Sequence, residues 1–215
     1  MDLGISSPQV DEAKRGFSFR LEAFLDMRMD QSNGITAAEV LNTFKEQDLV
    51  NILKNFGEER FAKNIVKAII EHRENKGPIK KTLELSELIK KTIPIKNSKK
   101  DLSTKTFQAL RIYVNKEIEE LENVLPIAFK SLKEKGRLVV ISFHSLEDRI
   151  VKNYTKLQMK TDFIPKKIPI KLSDIKLAPF KVVQKMITPN LEEIKKNPRS
   201  RSAKLRVIEK VMETE

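Results

Sequence analysis

Apolar positions change their spacing along this chain, and those changes divide it. Leu3-Gly4-Ile5 reads as the end of a buried strand, and Ser6-Ser7-Pro8 as the loop leaving it. From Asp11 to Asn33 no period holds. Phe17, Phe19, Phe24, Leu25, Met27 and Met29 nevertheless punctuate the polar residues there, as in a functional loop that folds over something. Thr36-Ala-Ala-Glu39 is a capping box ahead of Val40, Leu41 and Phe44. Asp48 can cap a helix carrying Leu49, Ile52, Leu53 and Phe56, with Gly57 suited to its C′ position. Phe61, Ala62, Ile65, Val66, Ile69 and Ile70 repeat at helical spacing, and Arg60, Lys63 and Lys67 fall largely off that stripe. Lys76-Gly77-Pro78 is a turn, after which Leu85, Leu88 and Ile89 resume the helical period until Pro94 stops it. Nothing between Thr36 and Ile93 reads as strand, so this stretch is a helical unit of its own.

Beyond the polar run Lys96–Lys105 the pattern changes. Phe107, Leu110, Val114, Ile118 and Leu121 mark one long helix, and a second runs through Ile127, Phe129 and Leu132 to Gly136. Arg137-Leu-Val-Val-Ile-Ser-Phe143 is a short continuous apolar run, the profile of a strand buried on both faces. Ser145-Leu-Glu-Asp148 caps a helix bearing Leu146, Ile150, Val151 and Tyr154. Helix, buried strand, turn and helix make an α/β unit. Phe180–Ile187 and Leu205–Val211 read as two further strands, able to form an antiparallel edge on an otherwise parallel sheet. The helical part is bounded here at 34–104, between a segment 1–33 and an α/β stretch 105–215.

The 215 residues carry 42 Lys+Arg against 30 Asp+Glu, a net charge of +12, which favours a polyanionic partner over plain solubility. Zero cysteine excludes disulfides, Cys-ligated zinc and thiol nucleophiles. The two histidines, His72 and His144, are too few and too far apart to suggest a metal site. No apolar run approaches a membrane span, and a cytoplasmic location is expected. The six glycines are isolated, so no Gly-rich phosphate loop, G-x-S-x-G or H-E-x-x-H is present.

Three places are candidates for chemistry. Asp2 and the Ser7-Pro8-Gln9 loop stand at a strand's carboxyl end, where α/β sheets bind ligands. Ser7-Pro8-Gln9 is a loose analogue of loops that hold an exocyclic amine with a side-chain oxygen and a Pro-fixed carbonyl; the plainer reading is a turn. His144 follows the second buried strand and can contact a substrate or only bond nearby backbone. Arg199, Arg201 and Lys204, interleaved with Ser200 and Ser202, suit phosphate oxygens, as do Lys96–Lys105 and Lys166–Lys171.

Several long blocks resemble one known family. Asp2-Leu-Gly-Ile-Ser-Ser-Pro-Gln9, Arg15-Gly-Phe-Ser-Phe19, Leu25-Asp-Met-Arg-Met-Asp30 and Gly57-Glu-Glu-Arg-Phe-Ala62 are similar to the bacterial ribosomal RNA small subunit methyltransferase H (MraW) family. So are Thr106-Phe-Gln-Ala-Leu-Arg-Ile112, Gly136–Val151 and Asn197–Arg206. The resemblance implies an α/β protein with a partial Rossmann-like S-adenosylmethionine-dependent methyltransferase fold and an inserted all-helical substrate-recognition domain. It implies methyl transfer to N4 of a cytidine in the decoding region of 16S rRNA, within the small ribosomal subunit. Asp2 and Gln9 fall on cofactor-contacting positions, the loop through Asp30 would cover the site, and Phe143–Asp148 would line it. Leu102-Ser-Thr-Lys105 departs from the family's Pro-Ala-Thr-Arg-like run.

Members of that family carry the first three strands and the Gly-rich cofactor loop ahead of the position of Asp2. On that basis the chain alone is expected to bind S-adenosylmethionine poorly and to be marginally stable. Two alternatives stay open: a non-catalytic RNA-binding remnant, and the C-terminal half of a split enzyme completed by a separate N-terminal fragment.

Overall fold

The computed structural model describes residues 1–95, 101–159 and 178–211. The basic run Lys166–Lys171 and the first half of Lys96–Lys105 lie outside the described residues. The chain packs as two compact units, Ile5–Glu117 and Met1–Gly4 with Ile118–Glu215.

The first unit is helical: α1 (Ser7–Asp11), α2 (Ala37–Thr43), α3 (Glu46–Gly57), α4 (Ala62–Asn75), α5 (Thr82–Thr92) and α6 (Thr104–Val114). The capping box forms as expected, Glu39 N–H donating to Thr36 Oγ1 at 3.2 Å and Thr36 N–H to Glu39 Oε2 at 2.8 Å. The apolar stripes of α3 to α6 meet in one core that includes Leu49, Leu53, Ile65, Ile69, Leu85, Ile89 and Leu110. Arg73 of α4 donates to the carbonyls of Leu41 and Phe44, both at 2.8 Å, and satisfies the C-terminal end of α2.

Gly57 is the last residue of α3, and Glu58 takes the left-handed position with φ 48°. The glycine serves close packing. A Cβ at Gly57 would lie 2.6 Å from the Lys105 carbonyl oxygen and 3.1 Å from Ala109 Cβ on α6.

Packing groups the residues differently from boundaries at 33/34 and 104/105. Phe17, Leu25 and Met27 are core residues of the helical unit, as are Phe107, Ala109 and Leu110 of α6. The apolar punctuation of the 11–33 segment is thus core-filling. The expected long helix from Phe107 to Leu121 is broken at Asn115 and Lys116, whose φ is 50°.

The second unit holds α7 (Glu117–Lys130), β1 (Arg137–Ser142), α8 (Ser145–Gln158), β2 (Phe180–Ile187), α9 (Leu191–Lys196) and β3 (Lys204–Lys210). The strands form a sheet of order β1-β3-β2, with β3 antiparallel to both neighbours. The free side of β1 pairs in parallel with the N-terminal residues. Leu3 N–H donates to Ile141 O at 3.0 Å, Ile141 N–H to Met1 O at 2.9 Å, and the Met1 amino group to Val139 O at 2.6 Å. The antiparallel β2–β3 pair matches expectation, but β3 also pairs antiparallel with β1, and the parallel partner is Met1–Leu3 rather than Leu3–Ile5. Gly4, at φ 84°, turns the chain out of the ladder.

A core of Leu121, Leu125 and Phe129 from α7, Val151 from α8, and Leu138, Val140, Phe180 and Ile208 covers one sheet face. Burial alternates along β1, leaving Val139 39% exposed, so this strand is buried on one face and not two. Phe129 stacks edge-on against both Phe180 and Tyr154, at 4.7 and 5.0 Å between centroids. Glu209 on the central strand takes Arg137 of β1 and Lys181 of β2, each at 2.7 Å. Among the described residues no helix is long and apolar enough to cross a membrane.

Candidate functional site

In the sheet-containing unit, chemistry gathers where the parallel pair ends. Asp2 bridges Ile141 through its backbone, and the residue is exposed. A Cβ on Gly4 would meet Phe143 Cδ2 at 3.4 Å. The chain leaves β1 through Phe143 and enters α8 at His144, which is the helix N-cap in place of the expected Ser145. His144 Nδ1 accepts from Glu147 N–H at 3.4 Å, and Glu147 Oε2 accepts from Phe143 N–H at 2.8 Å. An accepting Nδ1 puts the proton of a neutral imidazole on Nε2. That Nε2 is buried, lies 3.2 Å from Glu147 Oε1 without hydrogen-bond alignment, and has no hydrogen-bond partner. A buried donor without an acceptor can serve a ligand's carbonyl or ring nitrogen.

Asp148, one residue further, joins α8 to β3. Arg206 Nε donates to its Oδ1 at 2.7 Å and Lys204 Nζ to its Oδ2 at 3.2 Å. Burial works to raise the Asp148 carboxyl, but the hydrogen bonds from Arg206 and Lys204 outweigh it and hold the group below the usual carboxylate range. Lys204, expected at a phosphate, is therefore a strut within the sheet unit. Arg199 and Arg201 are exposed on a 3₁₀ turn, Pro198–Ser202, whose N-cap Asn197 accepts from Arg199 N–H at 3.2 Å. Ser200 is buried and donates to Asn197 O at 2.8 Å, so its hydroxyl braces the turn.

In the helical unit, the expected Ser6-Ser7-Pro8 loop is the start of α1. Gln9 Oε1 accepts from Ser6 N–H at 2.8 Å and from Ser6 Oγ at 3.2 Å. The Pro8 carbonyl accepts from Glu12 N–H at 2.9 Å. Ser7 and Pro8 are exposed on the first turn. Of the Ser7, Pro8 and Gln9 groups, the Ser7 hydroxyl and the Gln9 amide nitrogen are the ones these bonds leave for a ligand.

The loop through Asp30 is ordered around Asp26, which is 6% exposed. Arg28 forks onto it, Nε to Oδ1 at 2.7 Å and Nη2 to Oδ2 at 3.1 Å, and Gln31 adds Nε2 to Oδ2 at 3.1 Å. Burial again pushes this carboxyl up, and the Arg28 and Gln31 hydrogen bonds bring it below its ordinary value. The carbonyls of Leu25 and Asp26 accept from Ala38 and Ala37 N–H at the start of α2, both at 2.8 Å. Sequence reasoning passed over Arg15 and Asn115, which hold this loop. The available signal was an Asn, a poor helix former, inside a helix-like apolar pattern.

The MraW methylase family matches residues 1–211. The ribosomal RNA small subunit methyltransferase H of Methylobacillus flagellatus is 48% identical over 210 residues, covering 98% of this chain and 65% of the relative. Its counterpart in Neisseria gonorrhoeae is 47% identical over 209 residues, with 97% and 65% covered. That of Coxiella burnetii is 48% identical over 211 residues, with 98% and 68% covered. The chain thus spans about two thirds of the length of the curated relatives it matches. Match length, identity and the blocks quoted above agree, and the chain belongs to the MraW methylase family.

Proposed function

We propose that this protein takes part in S-adenosylmethionine-dependent methylation of the exocyclic N4 of a cytidine in the decoding region of 16S rRNA. The observation that carries the reading is 48% identity across 98% of the chain to a ribosomal RNA small subunit methyltransferase H. In this reading Met1–Gly4 with Ile118–Glu215 belongs to a Rossmann-like fold, and the helical unit Ile5–Glu117 contains the inserted substrate-recognition domain, 34–104, with the flanking segments that pack on it. The protein works in the cytoplasm on the small ribosomal subunit.

Each unit has a group that suits such a cofactor. In the sheet-containing unit Asp2 is an exposed carboxylate, able to accept from a ribose hydroxyl or an ammonium group. In the helical unit Gln9 offers its amide nitrogen while Ser6 holds its oxygen. When bound, S-adenosylmethionine supplies an electrophilic methyl carbon. The chain's own task is then to orient the acceptor amine and exclude water.

The amine's lone pair is delocalised into the cytosine ring. An acceptor at its hydrogens, the Ser7 hydroxyl, helps localise it. The His144 Nε2 suits the base's carbonyl or ring nitrogen as a hydrogen-bond donor. The base must be splayed out of the RNA to reach such groups, and Arg199 and Arg201 suit the flanking phosphates.

Deleting the gene and analysing 16S rRNA by nucleoside mass spectrometry tests the proposal. Loss of one N4-methylcytidine, restored by the reintroduced gene, supports it. Unchanged modification in the deletion strain overturns it and leaves a non-catalytic RNA-binding role.

A further inference from the structure

One stretch of the helical unit is far more constrained than its lack of regular structure suggests. Every backbone N–H and C=O from Leu25 to Met29 has a partner, although none belongs to a helix or strand ladder. The Leu25 N–H donates to Lys80 O, Asp26 N–H to Phe24 O, Met27 N–H to Arg15 O, and Arg28 N–H to Asp26 Oδ1. The Leu25 and Asp26 carbonyls accept from the start of α2, and those of Arg28 and Met29 both accept from Arg15 Nη2, at 3.0 and 2.8 Å.

Asn115 closes the remaining two. Its Nδ2 donates to Met27 O at 2.7 Å and its Oδ1 accepts from Met29 N–H at 2.6 Å. Between those two bonds sits Met27 at φ 63°, a left-handed conformation that a non-glycine residue avoids. The Met27 side chain is fully buried, so the unfavourable backbone is held from both ends.

Asn115 itself is fixed. It caps α6 with a bond from Nδ2 to Arg111 O at 2.9 Å. Across the corner Arg111 forks onto Glu117, Nε to Oε1 at 2.7 Å and Nη2 to Oε2 at 2.8 Å, with both side chains mostly buried. Gly16 lets the Arg15 arm approach: a Cβ there would lie 2.4 Å from Phe24 O. Backbone strain held this firmly, with so many polar contacts serving one short loop, marks a segment whose pose matters to function.

We infer that Asn115 is a positioning residue for the methyl-transfer reaction, locking the Leu25–Met29 loop in a single pose. The inference rests on the rRNA-methylation reading given above. Asn115 touches no reacting atom; it acts through the Met27 and Met29 backbone.

The test uses the protein as recovered from its host, with small ribosomal subunits lacking the modification as substrate, and two variants. Asn115→Ala removes all three bonds, and Asn115→Asp keeps the acceptor to Met29 N–H while losing the donors. Hydrogen exchange at the Met29 amide reads the clamp itself. It is expected to rise by on the order of tenfold or more in Asn115→Ala and less in Asn115→Asp. Methylation rate reads the consequence: kcat is expected to fall by on the order of 10- to 100-fold in Asn115→Ala, with KM for the subunit within about threefold. Asn115→Asp is expected between this variant and the wild type in both readouts, and it carries the test if Asn115→Ala does not fold. Unchanged Met29 exchange overturns the clamp, and faster exchange with unchanged kcat overturns its positioning role. A wild-type protein that methylates nothing overturns the rRNA reading instead, while Met29 exchange still judges the clamp.

Discussion

Replacing Asp148 with Asn keeps its shape and removes the charge that joins α8 to β3. The loss can be worked from the two bonds. The Arg206 side chain is 15% exposed, so its charge-assisted bond at 2.7 Å is worth about 1.5–3 kcal/mol, part of which a neutral amide oxygen retains. The Lys204 side chain is 35% exposed, and solvent screening leaves its bond about 0.5 kcal/mol. An anion lost from the first turn of α8 adds about 0.5 kcal/mol. The expected destabilisation at pH 7 is about 2 kcal/mol in all.

Its pH dependence has a definite sign. The folded carboxyl is held below its unfolded value, since the Arg206 and Lys204 bonds outweigh a burial that would raise it. Its contribution is therefore complete above the ordinary carboxylate range and is lost as pH falls through the lower folded value. The gap between wild type and Asp148→Asn should shrink as pH drops from about 5 towards 2.5.

The chain has no Trp and two Tyr, of which Tyr154 lies in the sheet-containing unit against Phe129. Urea unfolding followed by Tyr154 fluorescence in a Tyr113→Phe background therefore reports that unit. A gap below about 0.5 kcal/mol at pH 7, or one that stays constant down to low pH, would refute the reasoning.

Other substitutions separate packing, capping and binding. Gly57→Ala, a change that raises helix propensity by about 1 kcal/mol in an open helix, should instead destabilise the helical unit by about 1–3 kcal/mol, because its Cβ meets the Lys105 carbonyl at 2.6 Å; urea denaturation against the exposed control Asn55→Ala gives the sign. His144→Asn keeps a good N-cap acceptor and removes the buried Nε2 donor. It should leave the melting temperature nearly unchanged while lowering methyl transfer about tenfold, and wild-type activity would make His144 a cap alone. Arg199→Ala with Arg201→Ala should flatten the salt dependence of RNA affinity by about one to two units of log–log slope, measured by filter binding, and an unchanged slope removes both from the RNA surface.

Much of the fold was legible because local chemistry and tertiary packing agree. The Thr36–Glu39 box starts α2, the Ala62–Ile69 stripe is the buried face of α4, and Phe180–Ile187 is β2 residue for residue. Where reading failed, a long-range contact won. The apolar period runs straight through Val114 and Ile118, so it hides a break that Asn115 and Lys116 make to reach a loop some 86 residues away.

The continuous run Leu138–Ile141 cannot say that both covering helices lie on one face. A five-residue helix at Ser7–Asp11 is too short to show a period. In the candidate site the strand-end position of Asp2 and His144 was readable, since β1 ends where its apolar run ends. That Lys204 serves Asp148, 56 residues earlier, was not, because a basic run carries no record of which cations fold back onto the protein.

The account as a whole stands on the nucleotide that receives the methyl group. Labelled S-adenosylmethionine, the protein as recovered from its host and small ribosomal subunits from a deletion strain provide the measurement. The account predicts about one methyl per subunit, on N4 of a single cytidine in the decoding region. Label on another nucleotide or in the large subunit, or no label with intact subunits, would contradict it.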